Sequence, residues 1–317
     1  MALKSGLNAQ CGIKTESTYG TAVTVDRFTP IISESMTEQI ARMESAGIVP
    51  GARVLRAPQW APGDVEISGD IGMELYQQGA GLWFRHMFGG LATSGSGPYT
   101  HTFTPGDMAD DHFTLQIGKP DVSGTVQPFT FAGCKVTEWE LAAKAGELVT
   151  LGVSVSGREL ATGTSLATAS YGSGVATPFT FKHASVTVGG SAAAVKEITL
   201  KGMNGLDTGR RFIGSPLIAE PLEAELRTYE GEMTCEFESL TQMNLFRNGT
   251  ENALVLTISA GVAVSVTITM NVRYDGSTPE VGGRGITELS VPFKCTASST
   301  DASAITAVMI NSDTNPT

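Results

Sequence analysis

A strict alternation of apolar and small polar residues near the middle of the chain constrains its fold most strongly. The residues of one parity are apolar and those of the other are small, mostly polar: Val149, Leu151, Val153 and Val155 against Thr150, Gly152, Ser154 and Ser156. Because successive strand side chains point to opposite faces, one face packs on a core and the other meets water or another subunit. With strand-like residues at 135–141 and a turn at 143–146, the pattern predicts a long β-hairpin.

The composition is typical of a β-rich globular protein with little surface charge. The 317 residues are enough for two ordinary domains or one large β domain, and only 17% are charged. The 37 glycines, with abundant Ser, Thr and Val, favour strands and turns. Low surface charge suits a protein that buries its outside against copies of itself, and it also suits a monomeric β-sandwich.

The acidic charge balance argues against tight binding of nucleic acid. The net charge is −11, and the 21 basic residues are scattered without a basic run. Proteins that grip DNA through its phosphates need clustered Lys and Arg. An acidic surface that repels DNA is compatible with this composition.

Cysteine usage and hydropathy indicate a protein made in a reducing compartment without a membrane span. Cys11, Cys134, Cys235 and Cys295 are far apart, as expected for reduced thiols rather than for a disulfide scaffold. The N-terminus lacks an apolar signal core. The long uncharged run at 253–271 alternates with period two, so it predicts a strand, and no membrane insertion is expected.

The order of segments predicts an arm followed by two similar β domains. Residues 1–27 are polar and Gly-rich and are expected to form an N-terminal arm. The first β domain is placed at 28–165, a small-residue linker at 166–177 and the second β domain at 178–317.

Several patterns of the first half recur in the second half. The segment at 63–75 alternates like a strand, residues 82–88 form the stripe of a short helix closed by Gly89, and 231–240 and 245–249 resemble these two segments. Residues 113–117 match 254–258 at the same offset, 141, that relates 147–148 to 288–289. We interpret this as a divergent internal duplication. The alternative is that any two β domains share alternating strands.

Motifs that carry catalytic or cofactor chemistry are missing from the sequence. Neither a dinucleotide-binding glycine motif nor a P-loop occurs, and residues 152–157 miss a nucleophile elbow by one position. The acidic loop at 107–112 could hold a hard cation, but a solvated turn is favoured because the EF-hand glycine and glutamate are missing. The four histidines lack metal-ligand spacing. We therefore expect no catalytic residue, cofactor or metal.

One acidic segment has a possible electrostatic role. Residues 220–238 contain seven glutamates and one arginine. Glu232, Glu236 and Glu238 share a parity, so they are expected on one face of a strand, where a row of carboxylates repels phosphate. The alternative is an ordinary solvated face.

Short motifs in a fixed order resemble the major tail tube proteins of long, non-contractile bacteriophage tails. They span nearly the whole chain: GLN at 6–8, ESTYGT at 16–21, the strand from Gly63, the helix ending in Phe88 and Gly89, the set Phe131, Gly133, Trp139 and Glu140, KAGELV at 144–149, Pro292 with Phe293, and INSD at 310–313.

The resemblance implies a mainly β fold of tandem tail-tube-type β-sandwich or β-barrel domains, each with a short flanking helix. It implies a structural virion protein that self-assembles into stacked rings, which form the hollow tail tube through which DNA is ejected. Ring closure would use up open strand edges, which otherwise invite uncontrolled pairing. The family has no active site to carry over.

The resemblance also implies partners. The chain is expected to assemble with itself, with a trimeric ring favoured over a hexamer because of the duplication. Tape measure, terminator and distal tail proteins are expected partners, and DNA is expected to pass without tight binding. Assembly is expected in the host bacterial cytoplasm and the final location in the virion tail.

Candidate assembly residues follow from these expectations. Ring-sheet candidates are Thr150, Ser154, Val264, Val266 and Ile268; ring-to-ring candidates are Tyr19 and Trp60, the latter in the loop at 46–62; acidic lumen candidates are Glu232, Glu236 and Glu238.

Two other classes of protein remain as alternatives. Another β-rich virion part, such as a tail terminator, capsid or decoration protein, would show similar strand patterns. A carbohydrate-binding β-sandwich would need exposed aromatic residues on one face, and the chain has only three tryptophans.

Overall fold

The computed structural model describes residues 5–172, 177–237, 240, 244, 247–249, 251–276, 278, 284, 286–297, 303–314 and 316. These residues form mainly β-strands, which confirms the predicted fold class. The first half contains β1 (Gln10–Thr15), β2 (Arg27–Phe28), β3 (Ser33–Glu34), β4 (Thr37–Glu44), β5 (Trp60–Glu74), α1 (Gly81–Phe88), β6 (Gly89–Ser94), β7 (Tyr99–Pro105), β8 (Phe113–Pro120), β9 (Val126–Lys144), β10 (Thr150–Gly157) and β11 (Glu159–Ala161). The second half contains β12 (Ala184–Val188), β13 (Ser191–Ala193), β14 (Val195–Met203), β15 (Thr228–Glu236), β16 (Asn252–Gly261), β17 (Val264–Tyr274), β18 (Glu288–Cys295) and β19 (Ile305–Asn311).

The long strand β9 belongs to two sheets of the first half. Its N-terminal part pairs with β8 and β11, and β1 and β2 follow β8. Its C-terminal part pairs with β10, which is followed by β5 and then by β3 and β4. Alternate residues of these strands are buried with the aromatic residues of α1, so the core lies against one face of each sheet: Trp83, Phe84, Phe113, Leu141 and Val153.

The second half repeats the pairing order of the first. The antiparallel pairs β1–β8, β8–β9, β9–β11, β9–β10, β10–β5 and β5–β4 have the counterparts β12–β16, β16–β17, β17–β19, β17–β18, β18–β15 and β15–β14. The strand segments at 69–75 and 231–237 both begin with a glycine followed by an acidic residue. Repeated topology supports the interpretation of a duplication, while the domain boundaries stay a prediction.

The two halves are joined edge to edge by a backbone ladder, which we call the seam. In the seam, residues 197–203 of β14 pair antiparallel with 138–144 of β9. Two cross-strand ion pairs lie within it, Lys201–Glu140 at 2.9 Å and Lys144–Glu197 at 3.7 Å. As a result, β4, β5, β10, β9, β14, β15 and β18 form one continuous sheet across both halves.

The N-terminal arm predicted for residues 1–27 is wrong from Gln10 onward. Strand β1 pairs with β8 along its whole length, and Cys11 and Ile13 are each only 1% exposed. Only Cys11, Gly12 and Ile13 of β1 are buried. Gly12 is packed so closely that a Cβ there would collide with Val25 and Phe28. A short strand between polar residues gives too few alternations to be recognised.

Other local predictions have mixed outcomes. Helix α1 ends at Gly89, whose φ of 83° is the left-handed conformation that closes a helix, as predicted. The flanking helix expected at 245–249 falls partly on residues 245 and 246, which lie outside the described residues. The four cysteines are free thiols. In the described part of the chain, helices of the length and apolarity needed to cross a membrane do not occur.

We predict that the seam tolerates no side chain at Gly202. A Cβ there would collide with the indole ring of Trp139, which is 3% exposed. Gly202→Ala should therefore lower the free energy of unfolding by about 1–3 kcal/mol, as expected for overpacking. Gly152→Ala is the matched control, because its Cβ would meet only a carbonyl oxygen at 4.0 Å. Chemical denaturation measures both; equal effects would contradict the packing argument.

Candidate assembly surfaces

Four predicted site residues lie on the same exposed face of the continuous sheet. The registers place Thr150 and Ser154 of β10 opposite Glu74 and Asp70 of β5, away from the core. The Ser154 hydroxyl donates to the Asp70 carboxylate at 2.6 Å. Glu232 and Glu236 of β15 lie on the same face in the second half, as their parity predicts. We call this surface the polar face.

The polar face is acidic but contains lysines. Its carboxylates outnumber its ammonium groups: Asp70, Glu74, Glu138, Glu140, Glu197, Glu230, Glu232, Glu236 and Glu288 against Lys144, Lys196, Lys201 and Lys294. Lys196 bridges Glu236 and Glu288 at 3.0 and 2.7 Å. The hydrogen bonds that its ammonium donates to Glu288 and Glu236 raise the pKa of Lys196, so it stays protonated. The surplus of carboxylates gives the face a net negative charge.

The remaining ring-sheet and lumen candidates lie elsewhere. Val266 and Ile268 of β17 are 1% exposed and pack in the core of the second half, while Val264 is half-buried. Most of β17 pairs with β16 and β19, and only 272–274 reach β18. Glu238 lies outside the described residues. The lumen prediction therefore depends on Glu232 and Glu236, which lie on one face of β15.

A hairpin with apolar residues projects from the edge of the first half. It comprises residues 38–66, in which β4 is exposed along its whole length, and we call it the projecting hairpin. Its tip at 45–59 includes Ile48 and Val54, which are 96% and 80% exposed. Trp60 is 43% exposed, and the guanidinium of Arg42 lies 5.6 Å from its ring centroid. Exposed apolar side chains on a projecting element are typical of a protein interface.

Tyr19, the other ring-to-ring candidate, makes its contacts within the chain. Its ring packs edge-on against His112 at 5.5 Å, and the Arg158 guanidinium lies 5.5 Å from its centroid. Its hydroxyl lies 3.4 Å from the carbonyl of Ala219. Burial, the largest influence, raises the pKa of this phenol. Tyr19 thus helps to hold the two halves together.

The segment at 204–227 crosses from the second half onto the first, and we call it the crossover segment. At its start, the Asn204 amide N–H donates to the Thr137 carbonyl at 2.9 Å. Near its middle, Val65 N–H donates to the Pro216 carbonyl at 2.9 Å. At its end, Arg227 donates to the Phe88 carbonyl at 2.9 Å. The segment occupies the place in the second half that the projecting hairpin has in the first.

A buried lysine fixes the crossover segment. Lys135 of β9 is fully buried, and its ammonium lies 2.6 Å from a carboxylate oxygen of Glu220. It also donates to the carbonyls of Met108 and Pro221. A buried ammonium needs this degree of pairing, because an unpaired charge in a protein interior is costly. The sequence analysis did not single out Lys135. The sign of its role in the sequence is its position between two apolar residues, Cys134 and Val136.

Two carboxyl groups beside the crossover segment have lowered pKa values. Burial acts to raise the pKa of Glu220, but hydrogen bonding by Lys135 and the Asp110 amide outweighs it, and the pKa lies below its ordinary 4.5. Burial likewise opposes ionisation of Glu16, and its hydrogen bonds with His112, Gly133 and other donors lower the pKa. Both groups are therefore carboxylates at neutral pH.

The same region contains a set of potential metal ligands. Ligand atoms of Asp110, His112 and Glu220 lie within 4.8 Å of one another. The Lys135 ammonium already contacts Glu220, so a positive charge is present beside the carboxylates. The arrangement is that of an ion-pair network, and chemistry at a bound cation does not follow from it.

We predict that acid weakens the attachment of the crossover segment. A carboxyl whose folded pKa is lowered stabilises the fold above its unfolded pKa, and this stabilisation is lost as pH falls through the folded value. The melting temperature should therefore decrease as the pH is lowered below about 4.5. Glu220→Gln should cost about 2–3 kcal/mol at pH 7, because Lys135 loses its partner, and should reduce the pH dependence. Exposed Glu225→Gln is the control; equal behaviour of the two variants would contradict the assignment.

Comparison with protein families identifies the chain. A family model described as phage tail tube protein matches residues 6–295, nearly the whole sequence. The chain matches no curated protein. The family match confirms the resemblance drawn from the ordered motifs and agrees with the mainly β fold. This chain belongs to the phage tail tube protein family, and it is a structural component of the virion tail.

Proposed function

We propose that the protein assembles with itself into rings, and that stacked rings form the hollow tube through which DNA leaves the virion. The observation that carries this proposal is the continuous sheet, in which the seam already joins two tube-like halves edge to edge. Association of strand edges between copies would extend the same sheet into a closed wall. Closure would also protect the exposed edge strand β4 from uncontrolled pairing.

In this proposal the polar face lines the lumen. It extends over both halves, and its net negative charge opposes binding of DNA phosphates. Glu232 and Glu236 belong to this lining, together with Thr150 and Ser154. DNA would then slide past the wall without releasing counterions, so that it would not be held tightly.

Two halves in each chain favour a threefold ring. Three chains would place six similar sheets around the axis, which is why a trimer is preferred over a hexamer. Stacking of rings requires a heterologous contact that does not close on itself, and such a contact generates a filament. We assign this contact to the tip of the projecting hairpin and to Trp60.

The proposal extends to partners and location. Tape measure, terminator and distal tail proteins would meet the inside and the ends of such a tube. Assembly would take place in the host bacterial cytoplasm, which suits the free cysteines. The carbohydrate-binding alternative has little support, because Trp83 and Trp139 are buried at 0% and 3% exposure.

Negative-stain electron microscopy of the purified protein across a concentration series tests the proposal. We expect hollow tubes with a regular axial repeat, and end views with threefold symmetry. Sixfold end views would retain the tube and overturn the trimer. Monodisperse monomers at every concentration would overturn self-assembly itself.

The stacking contact is tested by changing the hairpin tip. The double variant Ile48→Ser with Val54→Ser should fold normally but raise the protein concentration needed for tubes at least about tenfold, since burying two apolar side chains contributes roughly 3 kcal/mol or more. Val122→Ser is the matched control, because Val122 is also 80% exposed but lies in the turn between β8 and β9. Light scattering gives the threshold, and unchanged assembly of the double variant would exclude the tip.

A further inference from the structure

The seam inside the chain has an unused counterpart at the two ends of the continuous sheet. Within the chain, the second-half strand β14 docks on the first-half strand β9. The equivalents of these strands are β4, with β3, at one end of the sheet and the C-terminal end of β17, which pairs with β18, at the other. The geometry points to a second seam between two copies, in which residues 38–40 of one copy pair antiparallel with residues 274–276 of the next. The inference rests on the proposed self-assembly and specifies its register.

The strand registers define rows of residues across each half, and the glycine–acid pairs at 69–70 and 231–232 match a row of one half to a row of the other. In the first half, a row across the sheet runs through Ser35, Asp70, Ser154 and Glu138. In the second half, the same row runs through Thr199, Glu232, Pro292 and Asp275. Both rows lie on the polar face and follow the same order of strands. Ser35 is thus equivalent to Thr199, and Glu138 to Asp275.

This correspondence fixes the register of the second seam. In the internal seam, Glu138 pairs with Met203, which lies four residues beyond Thr199. The residue four beyond Ser35 is Gln39, and the ladder from Ser35 to Gln39 contains no register shift. Asp275 of one copy should therefore lie opposite Gln39 of the next.

The backbone edges have the correct orientation for this pairing. Ser35 N–H donates to the Asp70 carbonyl, so residues of its parity in β4 point toward β5, and Glu38 and Ile40 point away. Asp275 N–H donates to the Pro292 carbonyl, so Tyr274 and Gly276 point away from β18. Within the described residues, neither outward edge has a strand beside it.

Side chains at the open edge of β4 also correspond to those at the internal seam. Ile40 lies on the same face of the hairpin as buried Ile67, yet it is 55% exposed. Its equivalent, Asn204, is fully buried by the internal seam. The Met36 carbonyl, which precedes residues 38–40, accepts a hydrogen bond from the Lys119 ammonium, so the open edge begins at Glu38. Pairing with a second copy would cover Ile40 as the internal seam covers Asn204.

Disulfide trapping between two singly substituted proteins tests the register. Gln39→Cys and Asp275→Cys proteins are mixed, assembled and oxidised, and non-reducing electrophoresis should show a dimer containing one of each. Glu138 with Met203 is the equivalent internal pair, so the double cysteine variant at these positions should form a bond within one chain without a dimer. Arg273→Cys with Gln39→Cys is the matched control two residues out of register. It should give at least about fivefold less dimer.

The double variant Gln39→Cys with Asp275→Cys in one chain gives a second readout. Oxidation should produce a ladder of linked chains that ends at the number of copies in the ring. Tubes that form without a 39–275 bond, or with the 39–273 bond preferred, would overturn this register and leave the proposed function intact. Wild-type protein that never forms rings or tubes would instead overturn the proposed function.

A proline at the open edge keeps the inference testable if the cysteines disturb assembly. Glu38→Pro removes an N–H that points away from β5, so the chain should fold with a melting temperature within a few degrees of the wild type. Rings should be lost, because the second seam needs that N–H. Folded Glu38→Pro protein that assembles at wild-type concentrations would overturn the inference.

Discussion

The backbone ladder between β9 and β14 is the contact on which the rest of the structure depends. An unpaired strand edge exposes a row of donors and acceptors, and the seam satisfies one such row from each half. It also places Gly202 against Trp139, so that the cores of the two halves meet beneath the ladder. The crossover segment adds a buried ion pair, Lys135–Glu220, that holds the halves in one relative position. Two similar units thereby become a single sheet with two open ends.

Sequence patterns predicted the local elements and the faces they bury, but not their neighbours. Alternation identified β10 and the polar parity of Thr150 and Ser154, and the glycine at 89 marked the end of α1. Period two tells which residues point inward; it does not tell which strand lies alongside. The seam and the Lys135–Glu220 pair join residues far apart in the chain, so local patterns carried no information on them. Strand β1 was missed because only a short run of its residues is buried.

Glutamates of the acidic segment at 220–238 that share a parity lie in two different environments. Glu232 and Glu236 lie on the polar face, as predicted, whereas Glu220 is used to neutralise a buried lysine. Lysines from β14 and β18 reduce the field of the polar face below what the glutamates alone would give. At physiological ionic strength, screening over about 8 Å reduces the field further. The face therefore repels phosphate weakly and at short range, which suits the lumen lining proposed for it.

Divergence of the two halves has a consequence for symmetry. At equivalent places the first half has a projecting hairpin, with Ile48 and Val54 at its tip, and the second has the crossover segment folded onto its neighbour. If the second seam has the geometry of the first, seams within a chain would alternate around the ring with seams between chains. The polypeptide itself holds a seam within a chain together, whereas a seam between chains depends on association alone. In the proposed ring, projecting hairpins would then occur at every second position. A proposed ring of three chains would contact the next ring through three hairpins, so rotation between rings would be fixed by a threefold pattern, even though the sheet proposed to line the lumen would be nearly sixfold.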